Sequence, residues 1–288
     1  MDLTKHAPRS PYHIGISGMM NLARMADKAI AKLNNTLGEY KSGETSGRDR
    51  RTLSALGLSE EKFLGIIQNS SADGRMGDAA IAVQLRQQVD IDLEKIKAFN
   101  VAERNRTPPD EDYYRRFEER RRIIGQPEIM SLPDMLDAED MHDFGVPSNL
   151  TLAPPVSAHS GGILGIVCLG RLISKAKGFL AGKLGEYKFG NNSGLDVNVM
   201  QFVGLTEAKL LDSIGKHAEL TDLLPWLRHK IDKSRQEVAD WNQDRRSRGP
   251  WNQEIQKMFD QRIEAVGRPD LTTFLDLLDC EDAVDFPQ

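Results

Sequence analysis

The feature that most constrains this chain is that it is written twice. Residues 24–41 read RMADKAIAKLNNTLGEYK, and 147 positions later residues 171–188 read RLISKAKGFLAGKLGEYK. The same offset lays Leu56-Gly57-Leu58-Ser59-Glu60 on Val203-Gly204-Leu205-Thr206-Glu207. Farther along the offset falls to 142, and Asn100, Arg104 and Arg106 superpose on Asn242, Arg246 and Arg248. A surplus in the first copy near residues 70–77 accounts for the change. The closing segments agree as well, GQPEIMSLPDMLDAEDMHDF over 125–144 with GRPDLTTFLDLLDCEDAVDF over 267–286. A repeat of this length implies one supersecondary plan used twice. The expected organisation is a lead-in over 1–12, a first repeat domain over 13–144, a linker over 145–160 carrying Pro147, Pro154 and Pro155, and a second repeat domain over 161–288.

Each copy reads as helical. Leu22, Ala26, Ala29, Leu33 and Leu37 recur at three- and four-residue spacing, as do Leu169, Ile173, Ala176, Leu180 and Leu184. This first helix is expected to end at Gly38 and Gly185, with the glycine in a left-handed conformation. Ser59 and Thr206 read as N-caps of a second helix. A third and a fourth cover 78–88 and 92–103, with counterparts at 221–230 and 233–244. A fifth runs from Pro109 or Pro250 to Gly125 or Gly267. A sixth is capped by Ser131 or Thr273, with Asp134 or Asp276 at its third position. Residues 197–203 are ambiguous between helix and strand. The fold class expected is all-α: two homologous helical bundles related by a pseudo-two-fold axis, in the manner of a homodimer of single-copy chains.

Composition narrows the function classes. The chain has 288 residues, 39% hydrophobic and 28% charged, ordinary values for a globular protein. Its net charge of -5 provides no general cationic field for a polyanion or an acidic membrane. The longest apolar stretch, 161–170, is half of the roughly 20 residues a spanning helix needs. The N-terminal dozen residues lack an apolar secretory core. Two cysteines, Cys168 and Cys280, suit a reducing compartment and read as small buried side chains. A cytoplasmic protein with no membrane association is expected. The six histidines form no i,i+4 pair and none recurs between copies, and neither a Walker loop nor a dinucleotide fingerprint is present. No metal, cofactor or catalytic residue is therefore expected.

The lead-in DLTKHAPRSP over 2–11, the basic helix leading to Gly38-Glu39-Tyr40, and the terminal leucine-rich segment with paired acids and a closing Phe together resemble a bacterial family. It is the domain-of-unknown-function family 5069, and the resemblance runs once through each copy. It implies no mechanism. In that family's pattern the Gly-Glu-Tyr is followed by an aromatic, then Asn-Cys and Leu-Asp. The second copy keeps Phe189 and Leu195-Asp196, the first keeps Asp49, and neither has the cysteine. A role tied to that thiol is not expected in this chain.

Three sets of residues recur with chemistry attached. Arg24 and Lys28, like Arg171 and Lys175, stand four apart and project to one side of the first helix, away from its apolar stripe. Either the acids of the sixth helix neutralise them (Asp137, Glu139, Asp140 and Asp143; Asp279, Glu281, Asp282 and Asp285), or they hold an acidic ligand. Glu39-Tyr40 and Glu186-Tyr187, with Asp49 and Asp196 a short loop beyond, supply a carboxylate and a phenol of the kind that line ligand sites. Asn100, Arg104 and Arg106, with Asn242, Arg246 and Arg248, form a secondary set. The expected function is a non-catalytic binding module for an acidic small molecule or an acidic protein surface, its oligomeric state open. One alternative is an enzyme using Glu39/Glu186 with Tyr40/Tyr187 for acid–base chemistry. Another is nucleic-acid binding through the arginine-rich stretch 104–122. The second copy lacks that basic run, and Glu118 and Glu119 interleave it, which favours a solvated helix.

Overall fold

The computed structural model describes residues 1–72 and 77–286. Among them the regular structure is helical, with no strand. The first copy supplies α1 (Leu22–Leu33), α2 (Gly47–Leu56), α3 (Glu60–Ala72), α4 (Asp78–Gln88), α5 (Leu93–Arg104), α6 (Glu111–Ile123) and α7 (Leu132–Phe144). The second supplies α8 (Leu169–Leu180), α9 (Gly194–Val203), α10 (Glu207–Lys216), α11 (Leu220–Lys230), α12 (Arg235–Ser247), α13 (Gln253–Ala265) and α14 (Phe274–Asp285). The all-α expectation holds, and the duplication is visible element by element. The surplus expected near 70–77 falls largely outside the described residues.

Two local expectations are corrected. Among the described residues each copy has seven helices where the sequence pattern indicates six; the addition is α2 and its counterpart α9, which takes in the ambiguous segment 197–203. α2 reads GRDRRTLSAL and buries only Asp49, Thr52 and Leu53, so its apolar periodicity is too sparse to read. It is nevertheless well punctuated: Ser46 accepts from the Asp49 amide at its start, and Gly57 in the left-handed region (φ 65°) ends it. The second correction concerns the end of the first helix. α1 stops at Leu33 and α8 at Leu180, where Asn35 (φ 56°) and Gly182 (φ 65°) take the left-handed positions. Gly38 and Gly185 are also left-handed, but in the following turn. A Cβ there would stand 3.1 Å from the Leu3 carbonyl oxygen and 2.8 Å from that of Leu150, and this close approach explains the glycine.

By contact the chain divides into Met1–Asn105 with Asp279–Gln288, and Arg106–Leu278. Sequence copies and packing units therefore differ in extent. The core of the first unit is the apolar face of α1 against Leu53, Phe63, Ile66, Ile67, Ile81, Leu85 and Ile96. In the second unit, α6 and α7 of the first copy pack with the opening of the second copy. Buried Gln126 donates from its amide nitrogen to the Gly162 carbonyl at 3.0 Å and accepts the Leu164 amide at 2.9 Å. The Gly161 amide donates to Asp134 at 2.7 Å. The stretch 145–160 is packed rather than loose. Its Leu150 amide bonds the Lys183 carbonyl at 2.8 Å, as the Leu3 amide bonds that of Thr36 at 2.9 Å in the first unit. Asn149 caps Thr151 as Asp2 caps Thr4. A second lead-in thus lies inside the segment read as a linker.

The first lead-in is fastened by charge. The Arg9 guanidinium donates to both carboxylate oxygens of Asp27 and to both of Asp78, at 2.6–3.0 Å. Next to it His13 accepts the Gly15 amide on Nδ1 at 3.2 Å. Burial, and then the Arg9 charge, push His13 down from the ordinary 6.5 to about 4. The folded state thus binds fewer protons than the unfolded chain between those values, and stability falls as pH drops from 6.5 toward 4. We expect this residue to account for about 2–3 kcal/mol of that loss. Urea titrations at pH 7 and pH 4.5 should show a shallower decline for His13→Gln than for the natural chain; equal declines would contradict the assignment.

Candidate functional site

The recurrent polar residues of the first helix meet the turn and helix that follow it. α1 is buried from Leu22 through Ala29, with Arg24 and Lys28 each only 4% exposed. The charged side, although it lies away from the apolar stripe, is thus inside the protein. Lys28 Nζ has three acceptors for its three protons: Asp49 Oδ1 at 2.6 Å, the Lys41 carbonyl at 3.1 Å and Ser46 Oγ at 3.4 Å. The other Asp49 oxygen accepts the Gly43 amide at 2.9 Å, which secures the short 3-10 turn Gly43–Thr45. Lys175 repeats the arrangement with Asp196 at 2.5 Å, the Lys188 carbonyl at 3.1 Å and Ser193 at 3.4 Å, and Asp196 accepts the Gly190 amide at 3.0 Å. Burial pushes both lysines below the ordinary ammonium range, against the pull of their aspartates. Burial likewise raises Asp196, opposed by Lys175.

The same site built twice at matched positions is what a tandem family domain should display. A family model described as a domain of unknown function (DUF5069) matches residues 5–142 and again 154–284. The chain belongs to the DUF5069 family. No curated protein matches it.

Within each DUF5069 copy, a glutamate on the third helix completes the turn. Glu60 accepts the Glu44 amide at 2.8 Å and Glu207 the Asn191 amide at 2.7 Å. Their carboxylates fill the space a side chain at Gly43 or Gly190 would need, with the nearest carboxylate atom about 2 Å from an ideal Cβ. Arg24 donates to the carbonyls of Arg9 at 3.0 Å and Pro8 at 3.3 Å, and its guanidinium stands 5.7 Å from the centre of the Tyr40 ring. Arg171 donates to the Val156 carbonyl at 3.4 Å and stands 5.6 Å from the Tyr187 ring. The tyrosines are half-buried. Glu39 and Glu186, beside them, are exposed, as are Lys41 and Lys188.

The structure therefore brings Arg24, Lys28, Tyr40 and Asp49 together, and Arg171, Lys175, Tyr187 and Asp196 likewise. The internal partner of Lys28 is Asp49, and that of Lys175 is Asp196; the sixth-helix acids do not serve them. Asn100 and Asn242 of the secondary set act as backbone clamps. Asn100 accepts the Met20 amide and donates to the Gly18 carbonyl (2.9 and 2.8 Å), holding the left-handed Asn21 that opens α1. Asn242 does the same for Val167 and Gly165 (2.9 and 2.7 Å) before α8. Arg246 donates to the His159 carbonyl at 3.0 Å and lies 3.4 Å from Asp134, while Arg248 pairs with Asp244 at 3.0 Å. Arg104 and Arg106 are half-buried and engaged within the chain. In the arginine-rich stretch, Arg116 pairs with Asp112 at 3.1 Å, Arg115 with the same carboxylate, Arg120 with Glu139, and buried Arg121 with Glu118 and the carbonyls of Pro127 and Ile129.

Sequence reasoning missed the buried His159 ring, whose Nε2 lies 2.8 Å from Asp276, and the Arg9–Asp27–Asp78 cluster. Neither recurs in the other copy, so the repeat gave no signal for them. Both cysteines are free and buried. Among the described residues no group of His, Cys, Asp and Glu is placed to hold a metal, and no helix is long and apolar enough to cross a membrane.

Removing one member of a buried ion pair leaves an unpaired charge in the interior, at a cost of about 3–5 kcal/mol, whereas replacing both by apolar groups is often neutral. Lys28→Ala should therefore destabilise the chain by about that amount, and Lys28→Met combined with Asp49→Leu far less. Urea unfolding checks both. A lysine kept only for a ligand would leave stability unchanged when replaced.

Proposed function

We propose that this chain is a cytoplasmic, non-catalytic interaction protein that meets an acidic protein surface through its two Gly-Glu-Tyr-Lys turns, 38–41 and 185–188. One observation carries the reading. Of the charged residues the two copies share in this region, the buried ones are consumed internally, while Glu39, Lys41, Glu186 and Lys188 are exposed and their side chains engage nothing else among the described residues. Packing does not account for identical exposed letters in copies that differ at half of the positions between the buried lysine and its aspartate. The lysines face a partner's carboxylates, and each glutamate selects for a cationic group beside them. Each turn is already rigid, since a buried lysine grips the carbonyl of its last residue. Little ordering entropy is then lost on binding.

The other readings have less support. A small acidic ligand between Arg24 and Lys28 would have to displace the three acceptors of Lys28. Acid–base catalysis gains from enclosure, and Glu39 and Glu186 stand in solvent. Much of the basic charge on α6 is spent on neighbouring carboxylates. Two free thiols support the cytoplasmic assignment. The packing of α6 and α7 on the opening of the second copy supports descent from a homodimer of single-copy chains that exchanged these helices.

A photocrosslinking residue placed at Glu39, at Glu186, or at the exposed control position Glu61 tests the proposal in the native host. One partner species should be captured from both turns and not from the control, and charge reversal by Lys41→Glu with Lys188→Glu should abolish capture without lowering thermal stability. Absence of adducts at both turns would refute it.

A further inference from the structure

Each Gly-Glu-Tyr-Lys turn sets an acid and a base on either side of a tyrosine. Exposure alternates along it: Glu39 and Lys41 are exposed and Tyr40 between them is half-buried, and Glu186, Tyr187 and Lys188 repeat the order. The tyrosine rings lie 5.7 Å from the Arg24 guanidinium in the first copy and 5.6 Å from that of Arg171 in the second. The two charges of each turn are left to solvent, and their side chains have no partner among the described residues. A partner that is acidic throughout satisfies Lys41 and Lys188 but repels Glu39 and Glu186. The surface that suits both turns therefore carries a base opposite the glutamate and an acid opposite the lysine.

We infer that this surface is the turn itself, presented by a second copy of the chain. The inference rests on the reading of the turns as a partner surface, and names the partner. Rotated about a two-fold axis, Glu-Tyr-Lys meets its own complement, the glutamate of each molecule facing the lysine of the other, so one sequence supplies both halves of the contact. Self-pairing accounts for both signs of charge standing in both copies. A second copy also has the acidic character proposed for the partner, since the chain carries a net charge of -5. In the second copy the charges have an apolar surround. Phe179 and Leu180, at the end of α8, are each 49% exposed, and the Phe179 ring is backed by that of buried Phe189 at 5.3 Å. Leu152, 76% exposed, stands two residues beyond Leu150, whose carbonyl oxygen comes within 2.8 Å of an ideal Cβ on Gly185, so this segment runs against the turn. The first copy has Lys5 in place of Leu152 and Lys32 in place of Phe179, paired with Asp2 at 3.1 Å and with Glu60 at 2.6 Å. Apolar side chains beside a self-complementary turn bury one another across the same axis, and that burial drives association where exposed ion pairs alone contribute little. Second-copy turns therefore pair first, and first-copy turns join through charge at higher concentration.

Sedimentation velocity of the full chain, over a concentration series reaching hundreds of micromolar, tests this. The natural chain should dimerise as concentration rises. Lys41→Glu with Lys188→Glu, and Glu39→Lys with Glu186→Lys, should each stay monomeric alone. An equal mixture of the two variants should associate, because an all-acid turn then meets an all-base one. The four positions are exposed, so thermal melts should find both variants folded. Leu152→Lys, which installs the first copy's residue, should weaken dimerisation about tenfold or more. A natural chain that is monomeric throughout, association that persists in either charge variant alone, a mixture that stays monomeric, or dimerisation indifferent to Leu152→Lys would overturn the inference. Crosslinking at Glu39 and Glu186 separates this failure from that of the partner surface itself. Capture of another protein by a monomeric chain leaves the turns as a contact and removes self-pairing, whereas absence of adducts removes both.

Discussion

The structure of each copy depends on burying a lysine. An ammonium carries a large desolvation cost into the interior, and it remains there charged only when each of its protons has an acceptor. Lys28 and Lys175 meet that condition with an aspartate, a serine hydroxyl and a backbone carbonyl apiece. The three acceptors come from three places along the chain: the end of the Gly-Glu-Tyr-Lys turn, the cap of the next helix, and that helix's first turn. One cation thus ties together a path of about twenty residues, from Lys28 to Asp49. Such a pair contributes specificity of conformation more than stability. In this protein, what it specifies is an exposed turn of constant shape.

The copies show which parts of this design admit substitution. Arg9 in the first copy bridges Asp27 and Asp78; its counterpart Val156 packs instead against Gly170, where an added Cβ would meet it at 3.0 Å, and Ser174 replaces Asp27 and bonds the Pro147 carbonyl. An ion network and an aliphatic contact hold the same lead-in in the same place. Glu103, buried and paired with the half-exposed Arg51, corresponds to Arg245, which lies 4.6 Å over the ring of Trp241. Charge itself is exchangeable at these positions as long as the local partners change with it. The Lys–Asp pair is not exchanged in either copy, because its acceptors include backbone atoms that substitution cannot move.

Much of the fold was legible in the sequence, and the residues that were not legible fail for physical reasons. Leu22, Ala26 and Ala29 signal α1 by spacing alone, and Ser131, Asp134, Thr273 and Asp276 announce the last helix of each copy through its cap. Leu37 continues the spacing and so puts the end of α1 too late, although left-handed Asn35 has already broken the helix. The spacing of Arg24 and Lys28 puts them on one side of the helix, away from its apolar stripe, and does not say which acceptors meet them there. What keeps them inside are acceptors up to 21 residues away, which no local period encodes. The repeat did hold the clue. Lys28 and Asp49 recur together as Lys175 and Asp196 while half of the residues between them differ.

Identity between the copies therefore has two causes, and burial separates them. A buried or half-buried residue shared by both copies is accounted for once its partners are known, as Lys28, Asp49, Asn100 and Glu60 now are. An exposed one is not, because solvent imposes no requirement that one polar residue meets and another fails. Glu39 and Lys41 remain after that subtraction, and so do Glu186 and Lys188. Shared surface letters argue for a contact both copies make.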